Sequence, residues 1–136
     1  MGTEVTFLKA IKGGLISGLI GAGLNNLWSL LAQALGSVPP PGFPIAVTMS
    51  SVFPLMVGSI LYFLLVKFSD KGHRIFVVTA VVFTLFSLYP IISMTEMPDG
   101  TPLVEGFKLL TLPMHLISGA LAVWGIPKFS KDKQRG

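Results

Sequence analysis

Four long apolar segments constrain the fold of this chain more than any other feature of its sequence. They cover approximately residues 7–35, 45–66, 75–94 and 107–126. A helix needs about 20 residues to cross the ~30 Å hydrocarbon core of a bilayer, and each segment is long enough. Four strands could not close a barrel, and lipid offers no partners to unpaired backbone groups. We therefore predict an all-α integral membrane protein with four spanning helices in a single domain, residues 1–136.

Composition supports a membrane location. Hydrophobic residues make up 51% of the chain and charged residues 12%, whereas a soluble domain is usually about one-quarter charged. A soluble chain this small could not bury so much apolar surface. The net charge is +4, but the basic residues flank the apolar segments, which indicates contact with anionic lipid headgroups and not with nucleic acid. The absence of cysteine excludes disulfides and thiolate chemistry.

The placement of charge predicts an orientation. Nine of the ten basic residues fall at the start of the chain, between the second and third segments, or at the end: Lys9, Lys12, Lys67, Lys71, Arg74, Lys128, Lys131, Lys133 and Arg135. Lys108 falls on the other side, with Glu96, Asp99 and Glu105. The positive-inside rule therefore puts both termini in the cytoplasm. Short connections favour an antiparallel four-helix bundle with up-down-up-down topology.

The first segment shares two features with a secretory signal peptide. Lys9 and Lys12 precede an apolar run that ends in Ala32-Gln33-Ala34, which resembles a cleavage site. The run is too long for a signal peptide, however, and Asn25-Asn26 interrupts it. We interpret it as a retained membrane span.

Small residues form a stripe on the first predicted helix. Gly14, Gly18 and Ala22 recur every four residues, and Gly14 and Gly18 match the GxxxG pattern that lets two helix backbones approach closely. Gly119 adds a small residue on the fourth helix. We predict that these four residues pack helices together within the bundle. A dimer interface or a polar wall facing a ligand is the alternative.

The fourth predicted helix carries polar residues on one face. Thr111, His115 and Ser118 are separated by four and three residues, so they lie on the same side of a helix. Ionisable residues inside a membrane are costly and are functional candidates by default, which makes His115 a candidate site residue. A neutral histidine that bonds to a neighbouring helix is the alternative. We expect no cofactor and no metal, although a single axial ligand from His115 to a haem or a chlorophyll-type pigment is chemically open.

Depth in the membrane connects these polar residues. At 1.5 Å per residue, Asn25 lies roughly 15 Å and His115 roughly 12 Å from the outer ends of their helices. Similar counting gives one polar layer with members on all four helices: Asn25, Ser51, Thr84, Ser87, Thr111 and His115. We predict that this layer binds a ligand or stabilises the bundle, and that Asn25 and His115 face each other across it.

Three prolines lie inside the predicted spans, at Pro54, Pro90 and Pro113. Proline lacks a backbone N–H, so each frees a carbonyl one turn earlier, and lipid cannot supply a replacement donor. We expect each proline to mark a kink, a hinge or a local binding position.

The segment Leu110-Thr111-Leu112-Pro113-Met114-His115-Leu116 is followed by Pro127 and a basic tail. Together with Gly21-x-x-x-Asn25 and Ser87-Leu88-Tyr89-Pro90, it resembles a family of small bacterial four-helix membrane proteins known only as a domain of unknown function. The resemblance covers most of the chain. It implies the four-helix architecture and a bacterial inner membrane, and it implies no activity.

Two functions stay open on the sequence alone. The chain has no glycine-rich phosphate loop, zinc-binding helix or nucleophile elbow, and no carboxylate lies inside a span, so nothing indicates an enzyme. The first function is a non-enzymatic accessory subunit that binds other membrane subunits or a second copy of itself. The second is a small-molecule, lipid or pigment binder, or a transporter protomer, that uses the polar layer around Asn25 and His115.

Overall fold

The computed structural model describes residues 4–131. Four helical spans follow one another: α1 (Phe7–Ala34), α2 (Phe43–Phe68), α3 (Gly72–Ser93) and a fourth span, Phe107–Phe129. Each is long and apolar enough to cross a membrane. The prediction of an all-α protein with four spanning helices is therefore confirmed.

The helix boundaries differ from the predicted ones by at most three residues, for identifiable reasons. Thr6 caps α1, because its Oγ1 accepts a hydrogen bond from the Lys9 N–H at 3.3 Å. After α1 the chain turns at Gly36, whose φ is +100°. The α2 helix begins two residues earlier than predicted because Pro44 lies in its first turn, where a missing N–H costs nothing.

The fourth span is not one regular helix. It consists of α4 (Phe107–Ala120), a π-helical turn (Leu121–Gly125) and α5 (Ile126–Phe129). The Ile126 N–H donates to the Leu121 carbonyl, five residues back. Pro127 falls in the first turn of α5, where the missing backbone N–H of proline costs little. The span therefore continues to Phe129 and does not end at residue 126 as predicted.

The helices pack in chain order around the bundle. The α1 helix lies between α2 and the fourth span, and α3 completes the ring by packing on α2 and α4. The α1–α2 pair has the most extensive contact. The first and third connections meet at one end, where the Val38 N–H donates to the Glu105 carbonyl at 3.0 Å and Ser37 Oγ donates to the Gly106 carbonyl at 3.2 Å. Successive helices are therefore antiparallel.

Close backbone approach explains the contact between α1 and α2. A Cβ added to Gly18 would lie 2.8 Å from the Val52 Cα, and one added to Gly14 would lie 2.6 Å from the Ser59 Cβ. Ala22, on the same stripe, is also buried. Between α3 and α4, a Cβ on Gly119 would lie 2.9 Å from the Thr84 Cβ. Gly14, Gly18 and Gly119 therefore face helices of the same chain.

The connection between α3 and α4 is ordered by a turn at Asp99. The Thr101 N–H and hydroxyl donate to Asp99 Oδ1 at 3.1 and 2.6 Å, and Gly100 adopts a φ of +80°. These hydrogen bonds stabilise the carboxylate and hold the pKa of the exposed Asp99 side chain below its usual value.

The opposite end of the bundle carries most of the basic residues that the structure describes. Its core contains Leu55, Tyr62, Phe76, Leu121 and Ile126. The exposed side chains around this core include those of Lys67, Lys71, Arg74, Lys128 and Lys131. His73 is also here, with its ring 6.1 Å from that of Tyr62. Lys133 and Arg135 lie outside the described residues.

Candidate functional site

Asn25 joins three helices through one buried amide. Its side chain is 2% exposed, and Nδ2 donates to Ser51 Oγ on α2 at 2.9 Å and to Ser118 Oγ on α4 at 3.1 Å. The Ser51 hydroxyl itself donates to the Val47 carbonyl at 2.7 Å, so its oxygen is left to accept from Asn25. We call Asn25, Ser51 and Ser118 the Asn25 cluster.

The amide oxygen of Asn25 differs from the amide nitrogen in its hydrogen bonding. Within residues 4–131, Oδ1 is buried and has no hydrogen-bond partner. Burying a carbonyl oxygen without a donor costs roughly 1–3 kcal/mol by mutational measures. The cluster therefore keeps one strong acceptor unused, and a ligand that carries an N–H or O–H group could satisfy it.

His115 pairs with α3. Its Nδ1 lies 3.0 Å from Ser87 Oγ, and the Ser87 hydroxyl donates to the Thr84 carbonyl at 2.6 Å. Which of the two atoms, Nδ1 or Oγ, donates in this contact depends on the tautomer of the imidazole. The other ring nitrogen, Nε2, makes no hydrogen bond to the described residues. We call His115 and Ser87 the His115 pair.

The polar residues predicted as one layer form two hydrogen-bonded groups, one on α1, α2 and α4 and the other on α3 and α4. Asn25 bonds to α2 and α4, whereas His115 bonds to α3, and in the described part of the chain the two share no hydrogen bond. The hydroxyls of Thr84 and Thr111 bond within their own helices, to the carbonyls of Ala80 and Phe107, each at 2.8 Å. Among the described residues, neither threonine side chain forms a hydrogen bond to another helix.

Trp28 makes a polar contact between α1 and α4 that the sequence analysis did not predict. Its Nε1 donates to the carbonyls of Leu109 and Leu110 at 3.2 and 3.1 Å. The Leu109 carbonyl is the one that Pro113 frees, four residues further along. Trp28 on α1 therefore replaces a donor that α4 lacks. The signal was present in the sequence, because Pro113 requires an outside donor and Trp28 lies one turn after Asn25.

Two open surface depressions lie away from the polar clusters. One, of about 460 Å³, is lined by residues 66–71 at the basic end. The other, of about 330 Å³, is an apolar groove between α1 and the fourth span, lined by Leu24, Ile117, Ala120, Leu121 and Trp124. Neither is lined by Asn25 or His115, so neither opens onto Asn25 Oδ1 or His115 Nε2.

Comparison with known proteins gives a family and no activity. No curated protein and no solved structure matches the chain. One family model, described as a family of unknown function, matches residues 6–132, which is nearly the whole chain. The resemblance to a family of unknown function is confirmed by this match. The chain is a membrane protein that belongs to this family of unknown function, DUF6069.

Proposed function

We propose that this membrane protein is a non-enzymatic subunit that binds another membrane protein. The proposal rests on the contrast between the hydrogen-bonded polar interior of the bundle and its apolar exterior. Polar side chains bond across helices within the Asn25 cluster and within the His115 pair, while α3 leaves a long apolar face bare. Such a chain offers a docking surface more readily than a reaction centre.

The bare face of α3 is rich in aromatic residues. Phe83, Phe86 and Tyr89 recur every three residues and are 70%, 72% and 71% exposed. Of the 22 residues in α3, Gly72, Phe76 and Ile91 are buried. Lipid would accept aliphatic side chains here equally well, whereas aromatic side chains are enriched at protein interfaces because they supply large, rigid contact areas. We infer that a transmembrane helix of a partner protein packs along this face.

Photo-crosslinking in native membranes tests this proposal. A photoreactive phenylalanine analogue at Phe83 or Phe86 is expected to give a discrete product of higher mass that contains a second protein. The matched control is Phe53 on α2, which is also aromatic and 67% exposed, and there we expect lipid adducts alone. A product of twice the chain mass would identify the partner as a second copy. Lipid adducts alone at Phe83 and Phe86 would contradict the proposal.

Binding of a small molecule is the second candidate function, because Asn25 Oδ1 is a buried acceptor without a partner and His115 Nε2 makes no hydrogen bond within the described residues. Native mass spectrometry of the protein purified in mild detergent separates the two functions. A bound small mass that is lost in Asn25→Leu or His115→Phe supports this second function. Visible absorbance lost in His115→Phe would point to a haem or a pigment. A protein partner without a bound small molecule supports the first function.

We also propose that the basic end faces the cytoplasm of a bacterial inner membrane, with both termini inside. The support is the clustering of exposed lysines and Arg74 at that end. The chain has no cysteine, so single cysteines report topology cleanly. Asp99→Cys is expected to react with a membrane-impermeant maleimide from outside the membrane, and Asp70→Cys only after permeabilisation. The reverse labelling pattern would show the opposite orientation.

A further inference from the structure

The apolar groove between α1 and the fourth span has a defined direction. Its lining residues Ile117, Ala120, Leu121 and Trp124 follow one another along one side of the fourth span, and Leu24 of α1 forms the opposite wall. Ile117 and Trp124 are seven residues apart, so the groove extends over roughly two helical turns of the fourth span. Ala120 is exposed and short, which leaves the floor open between its larger neighbours.

A lysine lies at the end of this groove. Lys128 follows Trp124 by four residues, and the contact between their side chains puts them on the same side of the span. Its Nζ lies 4.0 Å from the centre of the Trp124 ring, within range of a cation–π interaction. The side chain is exposed, and within residues 4–131 its Nζ has no carboxylate partner. The apolar groove thus ends at the ammonium group of Lys128, and no described acidic residue lies close enough to balance its charge.

We propose that this groove binds one anionic phospholipid, with an acyl chain between Leu24 and Trp124 and the phosphate at Lys128. The charge of the ammonium is complementary to a phosphate, and lysine binds phosphate as a point charge. Tryptophan is enriched at the level of the lipid headgroups, where an apolar ring meets a polar surface. A groove of about 330 Å³ admits a single chain more readily than a helix, whose diameter is about 10 Å. This site is separate from the proposed partner face on α3.

Native mass spectrometry of the delipidated protein, titrated with dioleoyl phosphatidylglycerol, tests the headgroup contact. Lys128→Gln is expected to weaken binding of the first lipid about fivefold, the change typical of one lysine near an anionic lipid surface. The matched control is Lys67→Gln. Lys67 is exposed at the same end of the bundle, and its Nζ also lies over an aromatic ring, 5.4 Å from the centre of Phe63. It lies on α2 and does not line the groove, so we expect no change.

A second variant tests the acyl-chain contact with the lysine in place. Ala120→Phe is expected to fill the groove floor and abolish binding of the first lipid, while the helical circular dichroism and its thermal transition stay unchanged because Ala120 is exposed. Three outcomes would overturn the proposal: equal weakening by Lys67→Gln and Lys128→Gln, full binding by Ala120→Phe, or equal retention of dioleoyl phosphatidylcholine by the unaltered chain. The first would reveal a general attraction to the basic end and no site.

Discussion

Replacing Gly18 with valine is expected to destabilise the bundle by about 3 kcal/mol, the upper end for an overpacked core. A Cβ at this position would lie 2.8 Å from the Val52 Cα, which is backbone that cannot move aside as a side chain could. The α1 and α2 helices would have to separate, and their contact is the most extensive in the bundle. Unfolding in mixtures of dodecyl maltoside and sodium dodecyl sulfate, followed by circular dichroism, measures this loss.

Gly23 supplies the control for this substitution. It lies on the same helix, it is exposed, and a Cβ there meets no atom within 4 Å. Gly23→Val adds the same atoms on the lipid side, so we expect a change of no more than about 0.5 kcal/mol. Equal destabilisation by both variants would mean that glycine matters for the backbone of α1 and not for its packing against α2.

Replacing Asn25 with leucine is expected to destabilise the bundle by about 1 kcal/mol, because removal of the unpartnered Oδ1 offsets part of the loss of two hydrogen bonds. Interhelical hydrogen bonds in membranes contribute about 0.6 kcal/mol on average and about 1.7 kcal/mol at most, and Asn25 makes two. Leucine also has a different shape from the amide in a fully packed position, which adds a cost. Ser118 loses its bond to α1, whereas Ser51 keeps its own bond to Val47. The same unfolding titration reports the result.

The neighbouring Asn26 provides the comparison. Its Nδ2 bonds to the Ala22 carbonyl of its own helix at 2.8 Å and to Thr48 Oγ1 at 3.1 Å, and Thr48 keeps a second bond to the Pro44 carbonyl. Because Asn26 is only partly buried, Asn26→Leu is expected to change stability by no more than about 0.5 kcal/mol. If Asn25→Leu is equally neutral, the amide is not structural, and the small-molecule function becomes the better explanation of its burial.

Much of the fold could be predicted from local properties of the sequence. The length and apolarity of each span depend only on consecutive residues. The lipid bilayer excludes every spanning structure except helices and closed barrels. The helix ends follow from nearby chemistry, such as Thr6 at the start of α1 and Pro44 in the first turn of α2. The spacing of Gly14 and Gly18 likewise predicts close packing, since every fourth residue shares a helix face.

The candidate site needed the tertiary structure. Counting residues places Asn25 and His115 at similar depths but says nothing of how each helix is rotated about its axis, and rotation determines that Asn25 bonds to Ser51 and Ser118 while His115 bonds to Ser87. The same holds for Trp28, whose acceptor lies 81 residues away in the chain.

What the sequence by itself determined is the membrane and its four helices, because hydropathy over about 20 residues is a local quantity. What only the tertiary structure decided is which side chains meet. It turned the stripe of Gly14 and Gly18 towards α2, within the chain. It determined that the polar residues form the Asn25 cluster and the His115 pair, and that an apolar groove lies beside Lys128. Lipid is as apolar as the helix surfaces, so helix pairing rests on packing and hydrogen bonds between residues distant in the chain.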